Sequence, residues 1–359
     1  MKLIHCADLH LASPMESRLS PEKARQRRTE LYRTFERIAD YGVENGVSAI
    51  LIAGDIFDES RPRNAEKKSF LKLAEAHPEV DFLCLSGNHD ESLEDEENLP
   101  ENVFCYGEDW KKNSYDEVDI WGCTQTDANF NLLYTTLRPD RTRLNIVLLH
   151  GEVRQSGTPA YGTVLLPALR DKGIDYLALG HYHSFEEGGL DERGKWCYSG
   201  TPEGRGFDEC GQKGFVLLNI ENGELSSRFV PFAQREIEEC RVDISGLEGE
   251  LEIEERVLSA LSCRPSKNIL RVLLTGRVPL NAQIRPKELE GCLNERFFSS
   301  SVKNCTKIQV DPSLYRDELS LKGEFIRTVL AARELSEEDK EQVLRCGLLA
   351  LEGEEAEFT

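Results

Sequence analysis

The feature that most constrains the fold is a short apolar run that stops at a carboxylate. Residues 49–53 are apolar, and Gly54 and Asp55 follow them directly. Such a run is typical of a strand buried on both faces of an α/β sheet. Ligands of open α/β sheets bind beyond the carboxyl ends of the strands. A buried carboxylate needs a partner of opposite charge, so the sequence predicts a cation site at Asp55.

Four other apolar runs end in the same kind of residue. The side chains that follow them are carboxylates, an amide and imidazoles: Asp8 and His10, Asn88 and His89, His150, and His181 and His183. Taken alone, an Asp-x-His pair is more often a cap or surface pair and a lone His150 is more often a structural histidine, whereas Gly87-Asn88-His89-Asp90 is a more specific signal. Five such endings in one chain favour a shared site, and oxygen and imidazole donors without thiolate suit Mn²⁺, Fe²⁺ or Zn²⁺ in a reactive centre. Two ions about 3.5–4 Å apart can clamp the attacking and leaving oxygens of a phosphoryl displacement.

The order of elements predicts a mixed α/β (α+β) fold. Strands alternate with helices early in the chain, including a helix capped by Ser20-Pro21 and a helix near residues 164–172. Later strands have short connections, such as the hairpin turn Asn222-Gly223. We therefore expect an αββα sandwich of two packed sheets flanked by helices.

The pattern restarts after residue 235, which predicts three regions. Residues 1–235 form the sandwich, residues 236–312 a small α+β unit, and residues 313–359 a helical C-terminal region. In the last region, Ser336 and Asp339 resemble a capping box.

Composition narrows the function classes. The net charge of −21 disfavours a protein that grips nucleic acid with its whole surface and favours a small-molecule or protein substrate. A polyanion would have to be held by a local basic patch, by metal, or with a second subunit. Eleven cysteines without a CxxC pair predict reduced thiols. The sequence has no apolar run near twenty residues and no signal peptide, so we expect a cytoplasmic protein with no membrane partner.

The order Asp-x-His, Gly-Asp-x-x-Asp, Gly-Asn-His-Asp, His, Gly-His-x-His resembles that of the calcineurin-like metallophosphoesterases. Within them the chain resembles the SbcD-type DNA repair exonuclease subunits, and above all their shorter Firmicutes-type members, which share Gly-Asp-Ile-Phe-Asp and the loop at residues 201–207. The resemblance covers residues 1 to about 232. It implies a nuclease domain, a capping domain and a C-terminal region that could dock a partner; packing of those helices onto the cap explains them equally well.

The resemblance also implies roles for the motif residues. One ion would be held by Asp8, His10, Asp55 and His183, and the other by Asp55, Asn88, His150 and His181. His89 would face the scissile phosphate and protonate the leaving oxygen. Asp58 and Asp90 would orient His89 or the ligands. The two ions would be Mn²⁺ by preference over Fe²⁺, Zn²⁺ or Mg²⁺.

The function implied is hydrolysis of DNA phosphodiester bonds, exonucleolytic or endonucleolytic, with an SbcC-like ABC/SMC-type ATPase as partner and a homodimer left open. Residues that could contact DNA at the rim are Arg18, Arg27, Arg61, Arg63, Arg205 and Phe207. For the arginines before residue 64 a solvated helix face is an equal explanation, and for Arg205 and Phe207 a turn arginine beside a core phenylalanine is the alternative. The alternative function is a small-molecule or cyclic-nucleotide phosphodiesterase or phosphatase of the same fold.

Overall fold

The computed structural model describes residues 1–15, 19–58, 64–87, 93, 98–279, 282–309, 315 and 318–352. The chain divides into two compact units, Met1–Ile237 and Glu238–Thr359. The predicted sandwich ended at residue 235, and the region predicted to begin at residue 313 belongs to the second unit in this division.

The first unit contains four helices and fourteen strands among its described residues. The helices are α1 (Pro21–Glu44), α2 (Asn64–Glu75), α3 (Leu133–Thr136) and α4 (Leu166–Leu169). The strands are β1 (Lys2–Cys6), β2 (Ala49–Ala53), β3 (Asp81–Leu85), β4 (Val103–Tyr106), β5 (Lys111–Tyr115), β6 (Val118–Gly122), β7 (Leu144–His150), β8 (Glu152–Arg154), β9 (Thr163–Leu165), β10 (Tyr176–Gly180), β11 (Glu186–Gly189), β12 (Lys195–Tyr198), β13 (Gly214–Glu221) and β14 (Glu224–Pro231).

Twelve of these strands form two six-stranded sheets, in the orders β14-β13-β1-β2-β3-β4 and β11-β12-β10-β7-β6-β5. Successive side chains of a strand point to opposite faces. Leu51 therefore packs between the sheets in one cluster with Leu148, whereas Ile50 and Ile52 pack on the outer face with Phe35 of α1. A third cluster covers the outer face of the second sheet with residues of α3 and α4. The predicted two-sheet sandwich is confirmed.

Two local predictions, the helix cap at Ser20 and the hairpin turn at Asn222-Gly223, are confirmed. Ser20 caps α1, accepting a hydrogen bond from the Lys23 backbone N–H at 3.3 Å. Asn222 and Gly223 join β13 to β14 with φ angles of 54° and 78°, as a two-residue hairpin turn requires.

The prediction of a helix near residues 164–172 was wrong in the length of the helix. The segment begins as strand β9 and turns only through Leu166–Leu169. Thr163 and Val164 are β-branched and favour extended backbone. Gly173, with a φ of 84°, lies just beyond the end of the predicted helix.

The strand ends that carry the predicted ligands lie at one edge of each sheet. β1, β2 and β3 are mutually parallel, and β7 is parallel to β10. The two sheets approach closely here, because a Cβ added to Gly180 would overlap the Ala53 carbonyl oxygen and lie 2.9 Å from Nδ1 of His150. Glycine at the end of β10 therefore allows ligands from both sheets to meet.

The second unit is an α+β assembly. Its strands are β15 (Ile237–Asp243, which begins at the last residue of the first unit), β16 (Ile269–Thr275), β17 (Arg277–Pro279), β18 (Ser299–Asn304) and β19 (Lys307–Gln309), and its helices are α5 (Glu250–Ala260), α6 (Pro286–Arg296), α7 (Leu321–Ala331) and α8 (Glu337–Glu352). The sheets have the orders β15-β16-β18 and β17-β19.

The C-terminal helices pack against each other through Ile326 and Val329 of α7 and Leu344 and Leu348 of α8. The predicted capping box is present, since the Asp339 backbone N–H donates to the Ser336 hydroxyl oxygen at 3.1 Å and the Ser336 backbone N–H donates to Asp339 Oδ2 at 3.3 Å. Leu321, the first residue of α7, is 72% exposed.

Over the described residues, no helix combines the length and apolar character needed to cross a membrane. None of the eleven cysteines, all of which lie in the described part of the chain, forms a disulfide.

Candidate metal centre

The residues that follow the strands adopt an unusual backbone conformation. The φ angles are 52° at Asp8, 43° at His10, 52° at Asp55 and 106° at His181. Residues other than glycine rarely adopt this left-handed backbone conformation, which is strained for them. Backbone strain of this kind is concentrated at functional sites. Backbone hydrogen bonds hold the turns, with Asp8 N–H donating to Gly54 O and His10 N–H to Asp55 O, both at 3.0 Å.

Two carboxylates lie side by side in this buried edge. Asp8 and Asp55 are 1% and 2% exposed. Burial raises the pKa of Asp8 well above its ordinary value, and the charge of Asp55 raises it further, although the His181 backbone N–H donates to Asp8 Oδ1 at 2.9 Å. Two buried carboxylates repel each other, so a cation between them would be stabilising.

Two groups of ligand atoms surround these carboxylates. Donor atoms of Asp8, His10 and His183 lie within 4.8 Å of one another, and so do those of Asp8, Asp55 and His150. Asp8 thus belongs to both groups, whereas the resemblance implied Asp55 as the bridge. Asp55 Oδ2 nevertheless lies 3.8 Å from His10 Nε2 and 3.5 Å from His150 Nε2, between the two groups.

His10 and His183 face each other through their Nε2 atoms, which lie 3.2 Å apart. The Nδ1 atom of His10 is 3.1 Å from Asp58 Oδ1, and the Nδ1 atom of His183 is 2.8 Å from Glu209 Oε1. A carboxylate accepts a proton donor, so these partners favour the imidazole proton on Nδ1 in both rings; at His183 the Glu209 contact is shorter than that of Arg205 Nη2, which lies 3.2 Å from the same Nδ1. Both Nε2 lone pairs are then directed towards the same space, as metal-binding histidines require.

His150 is oriented by the backbone. Its Nδ1 donates to the Ala53 carbonyl oxygen at 2.9 Å, which leaves the lone pair on Nε2. Among the described residues, Nε2 is buried without a hydrogen-bond partner. Burial lowers the pKa of His150 to about 4, so the ring is neutral at pH 7. The ring of His181 lies against it, with centroids 5.4 Å apart.

Arg205 connects the two carboxylates that orient His10 and His183. Its Nη1 donates to Asp58 Oδ1 at 2.6 Å and its Nη2 to Glu209 Oε1 at 2.8 Å. Burial would raise the pKa of Glu209, but hydrogen bonding with His183 and the charge of Arg205 lower it to about 2. Burial of Asp58 is likewise outweighed, first by its hydrogen bond with His10, and its pKa is lowered. Both groups are therefore carboxylates at neutral pH.

The donor set fits a divalent metal centre. The groups are carboxylate oxygens and imidazole nitrogens, and the Nδ1 atom of each ring lies beside a carboxylate or a carbonyl oxygen. The unpartnered Nε2 of His150 and the raised pKa of Asp8 are both relieved by a bound cation. Which residue binds which ion stays a prediction.

The prediction that Arg27 contacts DNA was wrong. Arg27 is 1% exposed, and its guanidinium donates to Glu30 at 2.6 Å, to Glu203 at 3.0 Å and to the Gly204 carbonyl at 2.7 Å. Arg205 is engaged by two carboxylates, so the turn-arginine alternative describes its contacts better. Phe207 is half-buried.

Several predicted residues lie outside the described part of the chain: Asn88, His89, Asp90, Arg18, Arg61 and Arg63. Conversely, sequence reasoning missed Glu209. Its only signal is its place two residues beyond the loop at residues 201–207 that the resemblance singled out.

Comparison with known proteins decides the family. A model of the calcineurin-like phosphoesterase family matches residues 1–185. The chain belongs to this family. Calcineurin-like phosphoesterases are dimetal-dependent hydrolases of phosphoesters, in agreement with the buried oxygen and imidazole donors.

Two relatives cover most of this calcineurin-like phosphoesterase. The DNA double-strand break repair protein Mre11 of Sulfolobus acidocaldarius is 24% identical over 313 residues, which cover 81% of this chain and 79% of that protein. The metallophosphoesterase YhaO of Bacillus subtilis, whose name describes it as uncharacterized, is 28% identical over 301 residues, which cover 78% of this chain and 72% of that protein.

Proposed function

We propose that this phosphoesterase hydrolyses phosphodiester bonds of DNA, as an SbcD-type nuclease of DNA end processing and repair. The observation that carries the proposal is the meeting of Asp8, His10, Asp55, His150 and His183 at one edge of the two sheets. The relatives named for DNA double-strand break repair favour DNA as the substrate.

In this proposal Asp8, His10, Asp55 and His183 hold one ion, and Asp55, Asn88, His150 and His181 hold the other, with Mn²⁺ as the native metal. Two bound ions would supply charge stabilisation for the attacking and leaving oxygens of the displacement. His89 would donate a proton to the leaving oxygen, and Asp90 would orient His89. Asp58 would act through the His10 ring, whose Nδ1 it faces.

DNA would be held at the rim by Arg18, Arg61 and Arg63, with Phe207 available for stacking on a base. The net charge of −21 leaves little general attraction for a polyanion. We therefore propose that an SbcC-like ATPase supplies most of the DNA-binding surface. The exposed Leu319 and Leu321 at the start of α7 are apolar positions that such a partner could cover.

A second candidate is a phosphodiesterase or phosphatase for small molecules. The acidic charge favours it, and so does the burial of Arg27 and the neutralisation of Arg205, which remove two cations from the predicted basic rim.

The deciding experiment incubates the full chain with Mn²⁺ and end-labelled single- and double-stranded DNA, beside a cyclic nucleotide and an aryl phosphodiester. Cleavage of DNA is expected. Turnover of the small substrates without DNA cleavage would select the second candidate.

Two variants separate metal binding from chemistry. Asp55→Ala should lose both Mn²⁺ binding and activity. His89→Ala should keep both ions and lose about 10²–10⁴-fold in the rate of cleavage, because it lacks the proposed proton donor. Normal cleavage by the His89 variant would refute the role assigned to that residue.

A further inference from the structure

We infer that Arg205, Asp58 and Glu209 form a positioning clamp that sets the metal affinity of the Asp8–His10–His183 position, and not that of the Asp8–Asp55–His150 position. The inference rests on the metal centre of the proposed function and not on DNA as the substrate.

The clamp joins distant parts of the chain through one guanidinium. Asp58 follows β2, whereas Glu209 lies in the loop after β12. Arg205 Nη1 donates to Asp58 Oδ1 at 2.6 Å, and both Nη2 and Nε donate to Glu209 Oε1, at 2.8 and 3.1 Å. The Arg205 backbone N–H also donates to Glu209 Oε2 at 2.8 Å, so both oxygens of that carboxylate are fixed.

The oxygens that Arg205 holds are the ones that orient the imidazoles. Asp58 Oδ1 faces His10 Nδ1 and Glu209 Oε1 faces His183 Nδ1, at 3.1 and 2.8 Å. One guanidinium therefore fixes the direction of two rings whose Nε2 atoms lie 3.2 Å apart. A planar guanidinium with several donors fixes the orientation of the carboxylates that it binds and also balances their charge. Displacement of either carboxylate would therefore let one of the two imidazole rings turn.

The other position is held by different means. The His150 ring donates to the Ala53 carbonyl, and the Tyr198 hydroxyl donates to the carbonyl of Gly151, the next residue, at 2.7 Å. Tyr198 also accepts from the Val153 backbone N–H at 2.8 Å. These contacts belong to the backbone of the sandwich and do not pass through the clamp.

The backbone of the half-buried His183 is held by a contact outside the clamp. The Lys213 ammonium donates to the His183 carbonyl oxygen at 2.6 Å and fixes the backbone of that residue. Loss of the Glu209 charge would therefore free the ring of His183 while its backbone stays in place.

The test is Mn²⁺ binding to the metal-free full chain, measured by isothermal titration calorimetry. Loss of a group that orients a metal ligand typically weakens binding by about 10- to 100-fold. We expect Glu209→Gln to weaken one of the two Mn²⁺ positions by about that factor and to leave the other unchanged. Asp58→Asn should weaken the same position, and it keeps the test available if the Glu209 variant fails to fold. Arg205→Lys should lose less Mn²⁺ affinity than Arg205→Gln but should not reach the wild-type value, because lysine supplies the positive charge without the planar set of guanidinium donors.

Arg193→Gln is the matched control. Arg193 also binds a carboxylate, since its guanidinium donates twice to Asp175 at 2.9 Å, but the other hydrogen bonds of that guanidinium go to the carbonyls of Arg141 and Arg143. Both Mn²⁺ affinities should stay at the wild-type values in this variant. Thermal melting of each metal-free variant checks that the fold is intact.

Wild-type affinity at both positions in Glu209→Gln and Asp58→Asn would overturn the inference, and so would an equal loss at both positions in either variant. A wild-type chain that bound no Mn²⁺ would overturn both the inference and the proposed function. If the chain binds two ions with the expected asymmetry and leaves DNA intact, the clamp stands and DNA is the wrong substrate.

Discussion

Two arginine-centred networks meet at the loop of residues 201–209, and they differ in what their carboxylates touch. Arg27 lies between Glu30 and Glu203, and all three side chains are at most 2% exposed. Arg205 lies between Asp58 and Glu209, and its side chain is 20% exposed. The first network holds the loop to α1, whereas the second orients imidazoles. The same ion-pair chemistry therefore serves the fold in one place and the metal centre in the other.

The largest effect should come from removing the buried cation. Arg27→Met leaves Glu30 and Glu203 without this partner, and removing one member of a buried pair typically costs about 3–5 kcal/mol. Arg205→Met should cost less, because the side chains of Arg205 and Asp58 are 20% and 22% exposed and water reaches both. Urea unfolding of both metal-free variants measures the difference. Equal losses of free energy of unfolding would break the comparison.

A smaller loss is expected when the loop loses one hydrogen bond to α1. The hydroxyl of Thr34, a fully buried residue, donates to Glu203 Oε1 at 2.8 Å. Thr34→Val removes the donor at nearly constant volume, and a hydrogen bond to a charged group contributes about 1.5–3 kcal/mol. The free energy of unfolding should fall while both Mn²⁺ affinities stay unchanged. A tenfold change in Mn²⁺ affinity would instead mean that the two networks act as one.

The smallest expected effect is the pH dependence that Glu30, in the Arg27 network, gives to the free energy of unfolding. Burial would raise the pKa of Glu30, but the hydrogen bond and charge of Arg235 and the charge of Arg27 outweigh it and hold the pKa below its usual value of 4.5. A carboxyl with a depressed folded-state pKa stabilises the fold above the unfolded value and loses that contribution as the pH falls through the folded value.

The stability difference between wild type and Glu30→Gln should therefore shrink as the pH is lowered below about 4.5. Unfolding curves of the two metal-free proteins between pH 7 and pH 3 check this. A difference that stays constant over that range would show that Glu30 keeps its ordinary titration in the folded protein.

The sandwich was predictable because its signals are local. Short apolar runs, turn glycines and caps each act within a few residues, and the carboxyl ends of parallel strands meet at one edge by geometry alone. The sequence alone therefore predicts that one site brings together Asp8, His10, Asp55, His150 and His183.

The rest depended on contacts between distant residues. Arg27 looked like part of a solvated helix face, but its partner Glu203 is 176 positions away in the sequence. Glu209 lies in an irregular loop, where no periodicity indicates which side chain turns inward. The length of the helix near residue 164 was overestimated because an apolar run of that size does not distinguish a strand from a helix.

The left-handed backbone at Asp8 and Asp55 has a practical consequence for trapping a bound substrate. Asparagine tolerates this conformation better than most residues and nearly matches aspartate in shape. An aspartate-to-asparagine exchange at either turn thus removes the negative charge and keeps the loop geometry, whereas alanine would also let the turn relax. Stalled complexes for crystallography are therefore best sought with the amide variants.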